Sequence, residues 1–281
     1  MEDNIKISIP EFPVKQGFFK LFREMFSELK KSRELIFRFF IRDFRARYKQ
    51  SLLGIAWIII MPVSFIGVFI LMNKSGIINI GEIDVPYPVF ALTGLTIWQL
   101  FATGLIGTTN SIISAGSIVI KINFPKETLV FSSLAQAFFD FLIRMFLVAL
   151  VFIFYKVSPS WQALFFPIFF IPLIILTLGI GLLLSLLNCI SRDITNVVGL
   201  VTTFLLFLTP ILYQKPAVKL FENISRYNIL VPLVTGPRDL ILYGRITNPA
   251  AYIGATVISL LVFLFSWRIF HLAEYKMTEV I

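Results

Sequence analysis

The sequence is poor in charged residues, which make up only 15% of its 281 residues. A soluble domain of average composition carries about 25% charged residues. Hydrophobic residues account for 57% of the chain, and 31 of the residues are phenylalanine. This composition excludes an ordinary water-soluble fold and indicates a protein that lies in a membrane.

Cysteine, histidine and nucleotide-binding motifs are also nearly absent. Cys189 is the single cysteine, so no disulfide can form within the chain. His271 is the single histidine and follows the last apolar segment, where we expect it at the membrane interface. Without an HExxH motif or a Cys/His cluster we expect no metal site. Because no GxxxxGK[ST] phosphate loop is present, we expect no ATP hydrolysis and no catalytic residue in this chain.

Long apolar runs take the place of these features. Six segments reach or approach the roughly 20 residues that a helix needs to cross about 30 Å of hydrocarbon. They are Leu52–Met72, Pro88–Thr108, Thr128–Tyr155, Ala163–Leu187, Asn196–Tyr213 and Ala250–Phe270. We therefore predict an all-α polytopic membrane protein with six transmembrane helices.

The positive charge is concentrated before the first span. The net charge is +9, and twelve of the 25 Lys and Arg residues lie between Lys6 and Lys49. This distribution favours a membrane surface over nucleic acid as the partner, and the positive-inside rule places the N-terminus in the cytoplasm. Six spans bring the C-terminus to the same side. The predicted organisation is a cytoplasmic segment 1–51, a membrane domain 52–270 and a cytoplasmic tail 271–281.

Two stretches before the first span have helical amphipathic patterns. In residues 17–31, Phe18, Phe22 and Met25 share one face, and Lys and Glu side chains share the other. Residues 34–48 repeat this pattern with four arginines. Such helices lie in the membrane interface. Two interpretations are open, namely simple anchoring by anionic lipid and a dedicated docking role.

Two of the connecting segments are unusual. Residues 110–127 are too polar to span the membrane but keep apolar spacing, which predicts a short helix along the cytoplasmic face that ends at Pro125. Residues 214–249 combine four prolines with apolar runs such as Ile229–Val231 that are too short to cross. We predict two short re-entrant or interfacial helices in this outer loop, because irregular backbone at membrane depth needs cover from protein or a water-filled cavity.

Charged and aromatic side chains within the spans are the candidates for function. Asp140 and Arg144 lie near the middle of the third span, four residues apart with the acid first, which predicts a helical ion pair. The pair is either structural or part of a gate or path. Trp57, Phe65 and Phe69 form one stripe in the first span, and Phe204 and Phe207 another in the fifth. These stripes indicate either helix packing or a path along which sugar rings slide on apolar ring faces.

Four stretches in order carry a family resemblance. They are Arg42–Pro62 (RDFRARYKQSLLGIAWIIIMP), Ile118–Leu129 (IVIKINFPKETL), Ser191–Tyr213 (SRDITNVVGLVTTFLLFLTPILY) and Arg238 with the following DLILYG. From about residue 30 onward the chain resembles the membrane subunits of ABC-2-type polysaccharide exporters, which export O-antigen, capsule and wall teichoic acid. It departs from them in the outer loop, where Asn228 and Pro232 are separated and the family usually has Asn-Pro.

The resemblance implies partners and site residues. It implies a homodimer in the bacterial inner membrane that moves a lipid-linked glycan along the dimer interface, past the aromatic residues of the first and fifth spans. Two copies of a cytoplasmic ABC ATPase would bind ATP and Mg, so this chain would hold no cofactor. Residues 214–248 would form the outer gate. Contact with the ATPase would involve Arg42, Asp43 and a coupling helix, Ser114–Pro125, that contains Ser117, Lys121, Phe124 and Pro125. The outer gate would contain Pro232 and Arg238.

Three alternatives remain at this stage. A related permease would export a drug or small lipid and would have a closed, occluded cavity. A membrane enzyme acting on lipid would need convergent acids or a metal, and the spans offer only Asp140. A secondary carrier would need broken helices in matched positions, whereas Pro167 and Pro172 bend only the fourth span.

Overall fold

The computed structural model describes residues 18–49, 53–75, 81, 83–122, 124–214 and 219–277. Within these ranges the regular structure is helical. The helices are α1 Phe18–Lys31, α2 Arg33–Lys49, α3 Trp57–Lys74, α4 Tyr87–Ala115, α5 Ser117–Lys121, α6 Glu127–Phe154, α7 Phe166–Ile190, α8 Ile194–Leu208, α9 Lys219–Tyr227, α10 Leu230–Tyr243 and α11 Pro249–Met277. Short 3₁₀ turns precede α3 and α7. The predicted ends of the chain, residues 1–17 and 278–281, lie outside the described residues.

The prediction of an all-α polytopic membrane protein is confirmed. Among the described residues, five helical segments are long and apolar enough to cross a membrane. They are Gly54–Lys74, Tyr87–Ala115, Glu127–Phe154, Trp161–Ile190 and Pro249–Glu274. The sixth predicted span corresponds to α8, a shorter apolar helix. The last helix continues beyond the predicted end at Phe270 as far as Met277.

Helix α8 ends earlier than the sequence predicted. The expected span reached Tyr213, but the helix stops at Leu208, and Thr209 is extended with φ −105° and ψ 129°. Pro210 explains this end, because a residue before proline is driven out of the helical conformation. The 15 residues of α8 measure about 22 Å at about 1.5 Å per residue. This length is shorter than the roughly 30 Å of hydrocarbon that a full span crosses.

Helix α4 forms the centre of the molecule. In its most apolar window 78% of the residues are buried, against 22% for α3. It packs closely on α6 and α7, and α7 packs on α11. Gly181 of α7 faces Thr108 of α4 so closely that a Cβ at Gly181 would lie 2.7 Å from Thr108 Cβ. Small residues let membrane helices approach in this way. Helix α3, by contrast, lies at the periphery of the bundle.

Two apolar cores stabilise the two ends of the bundle. The smaller core joins α1, α2, α4, α5, α6, α7 and α11 around Met25, Phe124, Leu182 and Phe270. We call the end that contains it the amino-terminal face. The larger core fills the rest of the bundle and includes α10. The two short helices predicted for the outer loop are present as α9 and α10, and α10 is largely buried.

The amphipathic prediction for the N-terminal helices is also confirmed. Met25 of α1 is fully buried, and the Phe22 ring lies 5.9 Å from the Trp267 ring of α11. Ser27, Glu28 and Lys30 are exposed. Helix α2 follows α6, since Phe39 contacts Phe124 and Tyr48 contacts Asp140. The thirteen-residue interval from Glu127 to Asp140 spans about 20 Å, so α2 reaches well along α6.

Candidate functional site

The predicted coupling helix is shorter than expected. Helix α4 continues to Ala115, and a separate helix of five residues, Ser117–Lys121, follows after Gly116. Gly116 has φ 53° and ψ −130°, a conformation that is accessible essentially only to glycine. The side chain of Lys121 is exposed on this surface, whereas the side chain of Ser117 lies outside the described residues. The glycine bend therefore turns the chain into a short helix on the amino-terminal face.

Phe124 fixes the end of this segment from inside. It is only 8% exposed, and its ring lies 5.3 Å from the ring of Phe39 in α2. Lys126 Nζ donates a hydrogen bond to the Phe124 carbonyl at 3.0 Å and lies 5.2 Å from the centre of its ring. In this conformation the ring of Phe124 presents little surface to a partner protein, and its role in coupling stays a prediction. Its packing holds α2 against the coupling segment, a name we use for α5 and the residues that follow it as far as Pro125.

Arg42 and Asp43 lie next to this packing. Arg42 Nε donates to Asp43 Oδ1 at 2.6 Å, and the Arg42 guanidinium carbon lies 4.9 Å from the centre of the Phe39 ring. The carbonyl of Pro125 accepts a hydrogen bond from the hydroxyl of Thr128, which lies in the first turn of α6. Through Phe39, the structure brings Arg42 and Asp43 close to the coupling segment. Their role in contacting an ATPase stays a prediction.

A buried polar cluster behind the coupling segment was missed by the sequence reasoning. His271 is 7% exposed and its Nδ1 lies 3.2 Å from Glu127 Oε1, so this histidine is buried against the start of α6, and its position at the membrane interface stays a prediction. The backbone N–H of Lys126 donates to Glu274 Oε1 at 2.7 Å. The three side chains could hold a metal ion, with ligand atoms within 4.8 Å of one another. Glu127 and His271 are 144 residues apart, so no local pattern indicates this contact.

A cavity of about 630 Å³ lies between α3, α4 and α8 and reaches the end of α2. We call it the basic cavity, because Arg47 and Arg144 line it. Its wall also contains Trp57, Phe65 and Trp98 and a polar group of Gln99, Thr103, Thr202 and Thr203. Two of the predicted path residues, Trp57 and Phe65, thus line a cavity. Phe69 is buried in the larger core, and Phe204 and Phe207 are exposed on the outside of α8.

The predicted ion pair between Asp140 and Arg144 is not formed. Asp140 accepts hydrogen bonds from Arg47 Nη1 at 3.0 Å and from the Tyr48 hydroxyl at 2.9 Å. Burial, together with the charge of Asp140, raises the pKa of Tyr48, which keeps this hydroxyl a donor at neutral pH. The sequence prediction was wrong because a different helix, α2, brings two hydrogen-bond donors to Asp140, and one of them, Arg47, is 93 residues away in sequence. Arg144 is 6% exposed and forms no ion pair among the described residues.

A second cavity of about 540 Å³ lies at the opposite end of the bundle, and we call it the outer cleft. Pro232 and Arg238, both predicted gate residues, line it. Arg238 Nη1 donates to the Pro210 carbonyl at 2.8 Å, its Nε donates to Asp239 Oδ1 at 3.0 Å, and its guanidinium lies 4.2 Å from the centre of the Phe90 ring. Arg238 therefore ties α10 to the end of α8.

The neighbouring contacts complete this arrangement. Thr247 donates to Asp239 Oδ2 at 2.5 Å, and Asn228 Nδ2 donates to Thr209 Oγ1 at 3.1 Å. Asn228 Oδ1 also accepts from the Leu230 N–H at 3.0 Å and caps the start of α10. The separation of Asn228 from Pro232 thus leaves Asn228 with a capping role. The junction of α8 and α10 is held by side chains rather than by regular structure.

Comparison with known proteins gives a consistent set of relatives. The ABC-2 type transporter family matches residues 34–242. An O-antigen export system permease protein RfbA from Klebsiella pneumoniae is 27% identical over 244 residues, which cover 85% of this chain and 92% of the relative. A second Klebsiella pneumoniae protein of that name is 29% identical with the same coverage. The Myxococcus xanthus protein of that name is 24% identical over 90% of this chain and 98% of its own length.

Proposed function

The chain belongs to the ABC-2 type transporter family, and from this premise we propose that it exports a lipid-linked polysaccharide of the O-antigen, capsule or teichoic acid type. The observation that carries this proposal is the agreement of three relatives, all named as O-antigen export permeases, over 85% or more of the chain. In this proposal the chain is the membrane subunit in the bacterial inner membrane, with both termini in the cytoplasm, and it contributes to lipopolysaccharide biosynthesis where the cargo is O-antigen.

ATP hydrolysis in this proposal takes place in a separate subunit. The sequence contains no phosphate loop, and an ABC ATPase with its bound ATP and Mg would supply the energy. The docking surface for this ATPase would lie on the amino-terminal face. It would consist of exposed Lys121, the α5 helix and the nearby Arg42 and Asp43. Movement of α5 would pass to α2 through Phe124 and Phe39, and to α11 through Glu127 and His271.

The transport path would lie between two copies of the chain. Helix α3 is mostly uncovered, and Trp57, Met61 and Phe204 are 45%, 61% and 62% exposed. A second copy and lipid would share the task of covering these apolar surfaces. The outer cleft at Pro232 and Arg238 would then act as the outer gate, because in the described part of the α8–α10 junction side-chain hydrogen bonds connect the two helices.

Purification of the tagged chain from its native membranes tests the ATPase assignment. We expect an ABC ATPase to co-purify and its activity to depend on this chain. Lys121→Glu should weaken that association, because the side chain is exposed on α5. The matched control is Lys74→Glu, an exposed lysine at the far end of α3. Equal co-purification for both variants, or no ATPase at all, would contradict the proposed coupling surface.

The identity of the cargo needs a separate readout. Export of a drug or small lipid is the alternative outcome, and sensitivity to a panel of toxic compounds in cells that lack the chain would reveal it. Polysaccharide export predicts unchanged sensitivity together with loss of surface glycan.

A further inference from the structure

Arg144 is a buried cation that forms no ion pair among the described residues. It is 6% exposed, and its Nε and Nη1 atoms have no hydrogen-bond partner among the described residues. A guanidinium in the middle of a membrane helix is costly unless it is paired or faces water. The charge of Asp140 acts on Arg144, but the carboxylate oxygens of Asp140 accept hydrogen bonds from Arg47 and Tyr48, so one carboxylate serves two guanidinium groups. The site therefore lacks one negative charge.

The position of Arg144 shows where that charge would come from. Arg144 and Arg47 both line the basic cavity. Together with Asp140 they make two cations and one anion, a local excess of one positive charge. The other described residues of the cavity wall are uncharged. An anion in this cavity would thus meet two guanidinium groups and no competing carboxylate on the wall.

The rest of the cavity wall indicates which chemical groups the ligand would carry beside the anion. Beyond the arginines, the wall is formed mainly by apolar and aromatic side chains, among them Trp57, Phe65 and Trp98. The volume of about 630 Å³ falls within the range of small-molecule sites, which is about 300–1,000 Å³. A small inorganic anion would leave most of this apolar space unfilled. An amphipathic molecule with an anionic head fits both parts.

We propose that the basic cavity binds the phosphate head of a lipid, with Arg144 and Arg47 as the cationic ligands and the aromatic wall against the adjoining apolar part. Arginine is the residue best suited to phosphate oxygens, because its donors are fixed in a plane and always charged. That this lipid carries the exported glycan rests on the proposed function, whereas the phosphate site itself does not.

Binding of dodecyl phosphate to the purified full-length chain in dodecyl maltoside tests the site. Two of the four tryptophans, Trp57 and Trp98, line the cavity, so intrinsic fluorescence reports occupancy. We expect Arg144→Gln to weaken binding by about tenfold or more, since charge-assisted bonds to phosphate are lost. Arg144→Lys should retain part of the affinity. The matched control is Arg192→Gln, an exposed arginine in the α7–α8 turn, which should bind as the unmodified chain does.

A variant that is expected to bind more tightly distinguishes loss of the site from simple misfolding. Asp140→Asn removes the carboxylate that now holds Arg47 and should tighten dodecyl phosphate binding. General damage to the protein cannot produce this gain. Equal affinity of Arg144→Gln and Arg192→Gln, or weaker binding by Asp140→Asn, would overturn the proposal. Inorganic phosphate that competes as strongly as dodecyl phosphate would overturn the lipid part of it.

The outcome separates this site from the proposed function. If the binding results follow the prediction but cells lacking the chain keep their surface glycan, the phosphate site stands and polysaccharide export falls. If export is lost in those cells but Arg144→Gln binds dodecyl phosphate normally, export stands and the phosphate site falls.

Discussion

The buried ring of Phe124 gives the sharpest quantitative prediction. Replacing a buried phenylalanine by alanine costs about 3–5 kcal/mol in a closed core. Phe124 keeps 8% of its surface exposed, so its site is not fully closed and we expect the lower end, about 3 kcal/mol. About 0.5–1.5 kcal/mol of this belongs to the ring pair with Phe39. Phe124→Ala should therefore loosen the coupling segment without removing the chain from the membrane.

Unfolding of the purified chain in mixed micelles with increasing SDS, followed by circular dichroism, measures this cost. Phe146→Ala is the matched control, because Phe146 is 65% exposed and its loss should cost below about 0.5 kcal/mol. A double-mutant cycle with Phe39→Ala isolates the ring pair. Equal stability of Phe124→Ala and Phe146→Ala, or a coupling energy near zero, would refute the role of this contact.

Three further substitutions are tested in the same unfolding assay. Gly116→Ala should cost about 1–3 kcal/mol through backbone strain alone, because nothing lies within 4 Å of the added Cβ. The control is Gly67→Ala, which is equally open but lies inside α3 and should cost nothing. Equal effects of the two substitutions would contradict the strained bend at Gly116. Gly181→Ala should cost about 1–3 kcal/mol by overpacking, and Thr108→Ala should restore part of the loss; failure of any rescue would argue against this close approach. Arg238→Leu should cost about 3–5 kcal/mol, because it leaves buried Asp239 unpaired, and Arg238→Gln with Asp239→Asn should cost less. A larger loss in the double variant would mean that the pair is not what holds α10.

The features that were predictable from sequence are those with a local signature. The apolar runs predicted the membrane helices, and the spacing of Phe22 and Met25 predicted the buried face of α1. The early end of α8 also has a local cause in Pro210. By contrast, the partner of Asp140 comes from α2, 93 residues away. Spacing within one helix favoured Arg144, because i and i+4 positions always lie on one face, whatever another helix brings to the same carboxylate.

The coupling segment shows the same limit. The resemblance placed Phe124 in the segment that meets an ATPase, but periodicity could not show that its ring is directed inward against Phe39. The contact of Glu127 with His271 joins the start of α6 to the end of α11. In the sequence, each of these residues is a single polar side chain near the end of a predicted span. Only the fold, which brings the start of α6 to the end of α11, makes them one cluster.

Surface glycan on cells depleted of this chain, assayed in parallel with lipid-linked glycan inside the cells, tests the central claim most directly. The account predicts loss of glycan at the surface and its accumulation inside, since synthesis continues while export stops. Unchanged glycan in both places would contradict polysaccharide export by this ABC-2 type transporter subunit.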